Sequence, residues 1–441
     1  MHTTVLTMYE IRDPIHGTIV IDDFERRVVD HPFVQRLRAI KQLGFVPVVY
    51  PGGVHDRFQH SLGVMHLAGQ VWQQLRPSLD LSAADADFVF RVVRLAGLLH
   101  DVGHAPFSHT TETVFPDIDV FVLPDDWYRN ECRPEQRQAT HEDVSLAIIA
   151  HLAEQGVLPE DLARAVAAVL SPLVRRGPRM ASLGPVVGIV RALISGELDC
   201  DRCDYLLRDS HFLGVQYGVY DLPRLLACLK VLPVDGEPHL GLDVHGVHAL
   251  EGLLLARYHM FLQVYFHKTP PAFDYYLEQA LQNREVRLPL HAGLSVWQDL
   301  RDDTVTAQLH HAAAEGGEWS RRIIQREPAK LVLRERMGLA HQENFLANSF
   351  VDALRGSGCH VFSRRSRQRF TKITAAGQPL QAGTAPLSCE RRVLGRSIVE
   401  PVNLHSDLLA NFNQPIDVQH TYVLREDAAL ARQVAERVPL P

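Results

Sequence analysis

The sequence predicts a mainly α-helical protein that ends in a smaller α+β subdomain, and three observations carry that prediction. Apolar residues recur at helical spacing through the first 310 residues or so, most strongly in FVFRVVRLAGLLHD and HALEGLLLARYHMFLQVYF. Past about residue 328 the texture changes: KLVLRE, HVF, RFTKIT and TYVLRE have β-like composition, interleaved with helical NFLANSFVDAL and DAALARQVAERV. Neither an internal repeat nor a long linker interrupts the chain. The expected division is therefore 1–327 for a helical domain with an N-terminal arm and 328–441 for the subdomain, packed on the helical body.

In chain order, residues 9–23 (YEIRDPIHGTIVIDD) read as an extended arm or short hairpin punctuated by Pro14 and Gly17. Asp30-His31-Pro32 resembles a helix start, since proline is tolerated in a first turn, and FVQRLRAIKQLG keeps a helical pattern up to Gly44. A second helix is expected from His60 to Leu75 and a third over FVFRVVRLAGLLHD. Residues 116–140 are proline-rich and polar and read as an insertion or lid. Helices resume near His141 and run through DLARAVAAVL, VVGIVRALI, DRCDYLLRD and HALEGLLLARYHMFLQVYF, with a short strand at HLGLDV between the last two.

Composition narrows the class without naming a function. A hydrophobic share of 46% and a charged share of 22% are ordinary for a globular domain. A net charge of −7 and a pI near 6.4 argue against a surface built wholly for polyanions. A local basic pocket stays compatible with them, and nucleic acid is not excluded as a partner. The start, MHTTVLTMYE, lacks a basic stretch followed by an apolar core, and no apolar run approaches bilayer length. A cytoplasmic enzyme with no membrane partner is the expectation. Six cysteines in 441 residues fit a reducing compartment. Cys200 and Cys203 form a lone C-x-x-C without a second ligand pair and read as helix-borne cysteines.

Histidine, at 24 residues, is the unusual count. In LLHDVGHAPFSH an apolar helix ends in His100-Asp101, followed at once by Gly103, His104 and His109. Burial of Asp101 there without a cation leaves an unpaired carboxylate at a cost of several kcal/mol. A helix end with a solvated aspartate and a core histidine is the alternative for the dipeptide alone. RFQHSLGV supplies His60 at the head of the preceding helix, and LDCDRCDYLLRD supplies Asp199, Asp201, Asp204 and Asp209. Asp201 lies three residues before Asp204 and eight before Asp209, so these carboxylates can share one helical face with Tyr205 and Arg208 nearby. For any one of them a surface salt bridge is the alternative. Imidazole combined with carboxylate suits Fe, Mn or Zn.

The succession H…HD…D within RFQHSLGV, LLHDVGHAPFSH and DCDRCDYLLRD resembles the HD superfamily. More narrowly it resembles the deoxynucleoside triphosphate triphosphohydrolases that include the SAM-and-HD-domain enzymes. DPIHG at 13–17, FVQRLRAIKQLG at 33–44, YPGGVHDRFQHSLGV at 50–64, THE at 140–142, CDYLLRDSHFLG at 203–214 and YFHK at 265–268 follow the family order over roughly the first 270 residues. The resemblance implies an HD-type helical body and one divalent transition metal, Fe, Mn or Zn, held by His60, His100, Asp101 and Asp201. Mg bound alongside nucleotide is a further implied ion.

By the same resemblance His104, His109 and His141 surround the reacting phosphate, with Glu112 and Glu142 setting their tautomers. The implied reaction is hydrolysis at the α-phosphorus, releasing deoxynucleoside and inorganic triphosphate, with His109 protonating the departing 5′ oxygen. Phosphate and sugar recognition falls to Arg57, Arg202, Arg257 and Lys268, with Gln42 and Leu43 near sugar and base and Tyr205, Asp209 and Tyr265 closing the pocket. Arg202 stands where the SAM-and-HD enzymes carry lysine, and Phe261 where they carry a base-side histidine.

A regulatory site is implied at Asp30, Gln35 and Arg38, which match residues that hold an activating nucleotide between subunits in the SAM-and-HD enzymes. A homo-oligomer, dimer or tetramer, follows from it. A helix stabilised by its own polar face is the alternative, and Tyr9 and Arg12 depart from the family pattern beside that site. RRSRQRF at 364–370 reads either as phosphate contacts between subunits or as a solvated loop. Two other function classes stay open: an HD hydrolase of another phosphoester, such as a monophosphate or cyclic dinucleotide, and a low-turnover nucleotide-binding regulator.

Overall fold

The computed structural model describes residues 7–129, 135–336, 341–369, 371, 387–411 and 415–438. Helices dominate, and the strands are short and form small sheets. The expected arm is an antiparallel hairpin of β1 (Met8–Asp13) and β2 (Gly17–Asp22). At its turn Asp13 accepts backbone N–H bonds from Ile15 and His16, at 2.9 and 2.8 Å, and Gly17 takes φ +76, which only glycine adopts freely.

The helix expected to begin at His60 spans Arg57–Leu75, started by the Asp56 side chain accepting from Gln59 N–H. It packs on the helix Ala83–Leu99, capped by Ser82. Contact between them is tight at Gly97, where an added Cβ would lie 2.9 Å from the Met65 nitrogen. These helices, with His141–Glu154, Glu160–Leu170 and Cys200–Leu213, bury the main apolar core.

FVQRLRAIKQLG is not one continuous helix. A single turn, Pro32–Gln35, passes into a 3-10 turn at Arg36–Ala39, and Ile40 is extended. Tertiary partners claim the backbone here: Arg57 N–H donates to the Ile40 carbonyl and Lys41 N–H to Asp302, both at 2.9 Å. Arg36, fully buried, donates to the carbonyls of Leu300, Val102 and His104 and so pins the loop after the HD pair. Burial drives its pKa down to about 9. Arg36→Ala is expected to destabilise the fold by roughly 3 kcal/mol or more, since each orphaned buried carbonyl costs about 1–3 kcal/mol. Urea unfolding followed by circular dichroism checks this.

Residues 116–129 do not behave as a free lid: Phe121, Leu123 and Trp127 are buried in the main core, and Phe121 meets Trp297 edge-on at 5.5 Å. Residues 130–134 of that insertion lie outside the described residues.

The strand expected at HLGLDV is β4 (Glu237–Asp243), and it pairs with an unexpected β3 (Leu229–Val234). Beyond residue 328 lie β5 (Lys330–Arg336), β6 (Val361–Gln368), β7 (Ser388–Val393), β8 (Arg396–Pro401) and β9 (Ile416–Val423). One sheet has the order β5-β9-β6; the other, β3-β4-β7-β8, joins β4 to β7 in parallel. Residues on either side of 328 thus share a sheet, and they share cores too: Phe273 and Tyr276 cluster with Phe362 and Tyr422. The RRSRQ part of RRSRQRF is strand, with Arg365 holding Asp417 through two bonds, so it is not a loop. Phe370 and most of RFTKIT lie outside the described residues.

Candidate metal centre and active site

Local sequence sets each ligand at a helix end. His60 sits in the first turn after Asp56, His100 is the residue that caps Ala83–Leu99, and Asp201 lies in the first turn of Cys200–Leu213. His60 Nδ1 donates to Asp204 at 2.8 Å, and His100 Nδ1 donates to the Gly97 carbonyl at 2.8 Å. A carboxylate and a carbonyl can only accept, so in both neutral rings Nε2 carries the lone pair. Both Nε2 atoms are buried without an aligned hydrogen-bond partner. They face one point that Asp201 reaches, with Asp101 alongside. Asp201 Oδ1 is 3.0 Å from His60 Nε2 and 3.8 Å from His100 Nε2; Asp101 Oδ2 lies 3.9 Å from His60 Nε2 and its Oδ1 3.4 Å from His100 Nε2, outside the compact group that His60, His100 and Asp201 form.

Lone pairs and anions converging in a buried pocket repel unless a cation lies among them. Burial favours the neutral His60 ring, yet Asp201 and Asp204 outweigh it and push the pKa up to about 10, so positive charge is favoured at this point, as a proton on Nε2 or as a metal in its place. Two imidazole nitrogens and two carboxylates are a donor set that fits a divalent transition metal. Arg57 Nη1 also holds Asp101, at 2.5 Å, while Nε and Nη2 bond Ser108 Oγ.

A second group of donors, His104, His109, Glu112 and His141, lies beside the first, its donor atoms within 4.8 Å of one another. Glu112 accepts from His141 Nδ1 at 2.5 Å and lies 3.3 Å from His109 Nδ1. Against the opposing effect of burial, the two histidines hold the Glu112 carboxyl well below its usual range, and Glu112 raises His141. The rings of His104 and His141 are stacked, with centroids 3.8 Å apart and planes 13° from parallel. Their in-plane lone pairs therefore lie in near-parallel planes and do not converge well on one ion, so this group suits proton transfer and hydrogen bonding better than a second metal. Burial and Arg57 keep His104 neutral, with Nε2 3.4 Å from Asp101. Glu142 is exposed at the cavity mouth, and it is Glu112 that bonds the histidines.

The loop carrying these groups is strained. Phe107 and Ser108 take φ +56 and +52, which L-residues rarely adopt. Asp302 accepts Phe107 N–H, and Ser108 is tied to Arg57, which hold that conformation.

A cavity of about 360 Å³ opens onto both groups. His100, Asp101, His141, Asp201, Arg202, Tyr205 and Arg257 line it, together with Gln368 from β6. Arg202 is steadied by the Glu197 carbonyl at 2.9 Å. Asp209 stands apart from this lining, bonded by His55 at 2.8 Å and the Tyr265 hydroxyl at 2.5 Å; Gln42 N–H donates to the His55 carbonyl at 3.0 Å, and Leu43 packs against the main core. Arg57 is committed to Asp101, and Lys268 is exposed, its carbonyl accepting from Tyr422. A larger cavity of about 630 Å³ lies behind the His60 helix, floored by Phe90 and Leu226. It lacks the converging donors, so the chemistry belongs to the smaller one.

Sequence reasoning missed His16, Arg36, Ser108, Gln368 and Asp302, and it gave Asp204 no specific task. Only DPIHG, noted as part of a family pattern, pointed toward His16. Cys200 and Cys203 are buried free thiols, and burial raises both pKa values, in keeping with a packing role.

A helical body that brings H…HD…D to one buried point defines an HD-type metal hydrolase fold. Residues 57–209 match the HD domain family. Among curated proteins the chain is similar to the human deoxynucleoside triphosphate triphosphohydrolase SAMHD1, 33% identical over 291 residues, covering 61% of this chain and 43% of that protein. An uncharacterized protein of Methanocaldococcus jannaschii is 32% identical over 274 residues, covering 62% and 49%. The matched region thus spans about half the length of these relatives. Among solved structures, a hypothetical protein from Aquifex aeolicus superimposes with a TM-score of 0.73 at 26% identity, covering 97% of this chain and all of that one. A phosphohydrolase from Bacteroides thetaiotaomicron shares the fold, with a TM-score of 0.70 at 23% identity over 95% of this chain and 100% of that one. Among the described residues no helix is long and apolar enough to cross a membrane.

Proposed function

We propose that this protein hydrolyses deoxynucleoside triphosphates to deoxynucleoside and inorganic triphosphate. The observation that carries the reading is one cavity in which His100, Asp101 and Asp201 of the metal corner adjoin His141, which Glu112 holds with His109 beside it, and Arg202, Arg257 and Tyr205 form the wall. Likeness to deoxynucleoside triphosphate triphosphohydrolases supports it.

His60, His100, Asp101 and Asp201 would hold a divalent metal, which when bound would supply Lewis acidity at the phosphate and a lowered water pKa. Arg202 and Arg257 offset phosphate charge, and their planar forks orient its oxygens. Tyr205 gives the nucleoside an aromatic wall. Glu112 holds His109 and His141 in place, and His109 delivers the proton that the departing 5′ oxygen needs.

Incubating metal-loaded protein with the eight common nucleoside triphosphates, singly and mixed, is expected to release inorganic triphosphate. Release of orthophosphate or pyrophosphate instead would transfer the reading to another phosphoester hydrolase. Residues 1–327 are taken as the catalytic portion, with 328–441 braced against it and contributing Gln368 to the cavity.

Regulation is proposed at Asp30, Gln35 and Arg38, as a nucleotide site that drives assembly. Asp30 is exposed, Arg38 Nε donates to Gln35 at 2.8 Å, and the Arg38 guanidinium lies 3.7 Å over Phe58, leaving its outer nitrogens for a ligand. Arg38→Ala is expected to abolish activation by mixed nucleotides with metal content unchanged, since a ligand shifts assembly only by its differential affinity. Sedimentation and turnover with single and paired nucleotides check this; one fixed assembly state with hyperbolic kinetics would end it.

A further inference from the structure

We propose that the turn of the N-terminal hairpin is a working part of the metal centre, in which His16 acts through Asp204 as a positioning residue for His60. The inference rests on the metal-centre reading above and extends it to residues with no assigned role.

Asp204 is fully buried one helical turn beyond Asp201. Its Oδ1 accepts from His16 Nε2 at 2.6 Å and from Arg208 Nη2 at 2.8 Å. Its Oδ2 accepts from His60 Nδ1 and from Arg208 Nε, both at 2.8 Å. Four N–H donors thus fix one carboxylate, and the single donor facing the metal is His60. Arg208 Nη1 continues to Asp13 at 2.8 Å, and Asp13 takes the Ile15 and His16 backbone N–H groups, so the hairpin turn closes the network. The fit leaves no slack. A Cβ on Gly63, one turn after His60, would stand 1.9 Å from Asp204 Oδ1 and 2.5 Å from Arg208 Nη2.

A carboxylate that accepts the second ring N–H of a metal-binding histidine fixes its tautomer and makes its other nitrogen a better donor. Arg208 and Asp13 alone would keep Asp204 buried and charged. His16 adds a contact on the opposite oxygen from His60, which sets the rotation of the carboxylate and hence the line along which His60 Nε2 points. The hairpin is therefore coupled to ligand geometry as well as to packing.

The test uses full-length protein stripped of metal by chelator and titrated with Mn²⁺ or Co²⁺. Binding is read by competition with a chromophoric chelator, by the visible Co²⁺ spectrum, and by the metal-induced rise in Tm. Asp204→Asn is expected to weaken metal binding about 10- to 100-fold, the usual cost of losing an outer-shell partner. His16→Gln should weaken it less, with an altered Co²⁺ spectrum, and excess metal should restore turnover in both. Gly63→Ala, which removes no functional group, should weaken metal binding by displacing Asp204. Should Asp204→Asn fail to fold, the other two variants decide. Wild-type affinity and spectrum in the folded variants, or a lowered metal-free Tm with an unchanged metal-induced rise, would overturn the proposal. His60→Ala in the same titration separates the two readings. If it binds metal normally the metal centre itself is misassigned; if it alone loses metal, only the role of His16 and Asp204 falls.

Discussion

Replacing His60 or Asp101 by alanine is expected to strip the metal and to lower phosphohydrolase activity by more than about 100-fold, since loss of an outer-shell partner alone already costs about 10- to 100-fold. His60 Nε2 is one of two ring nitrogens at the site, and without it His100 and Asp201 remain of the compact group, with Asp101 alongside. The two variants should differ in stability. Asp101 also neutralises the buried Arg57, and removing one member of a buried ion pair typically costs about 3–5 kcal/mol. Arg57 keeps its bonds to Ser108, so Asp101→Ala should fold but melt earlier than His60→Ala. Metal content by mass spectrometry, turnover and thermal melts check the pair. Wild-type metal content with wild-type turnover in either variant would remove that residue from the ligand set.

His109→Ala is expected to keep the metal and bind nucleotide while turnover falls about 10²- to 10⁴-fold, the usual contribution of a positioned general acid. The geometry separates its task from ligation. His109 belongs to the group around Glu112 and His141, not to the group of His60, His100 and Asp201. Its side chain is 72% exposed, so its loss should cost little stability, and Glu112 still holds His141 at 2.5 Å. Kinetics in parallel with metal content and nucleotide binding test this. A variant that loses metal, or one that turns over at the native rate, would refute the assignment.

Local chemistry made several features legible before any coordinates. The apolar run ending at His100-Asp101 announced a buried helix end, and the helix Ala83–Leu99 stops there. Spacing placed Asp201, Asp204 and Asp209 on one helix, and Cys200–Leu213 carries all three. Less legible was the stretch at 33–44, whose apolar period looked helical. The carbonyl of Ile40 and the N–H of Lys41 instead bond to Arg57 and Asp302, partners no window of a dozen residues contains. The strand β3 was overlooked for a different reason: it pairs locally with β4 through the two-residue turn Asp235-Gly236, a hairpin signal present in the sequence.

By itself the sequence determined the helical class, the three segments that bear the H…HD…D residues, and their order. Those depend on periodicity and on neighbours within a few turns. Tertiary structure alone decided which donors meet: that His60 and Asp201 face each other, that Glu112 rather than Glu142 holds the histidines, and that His16 reaches Asp204 across 188 residues. The physical reason is that a site is a convergence of side-chain atoms within a few ångströms. Helix spacing sets directions along one element, whereas the approach of separate elements is set by close packing at points such as Gly63 and Gly97.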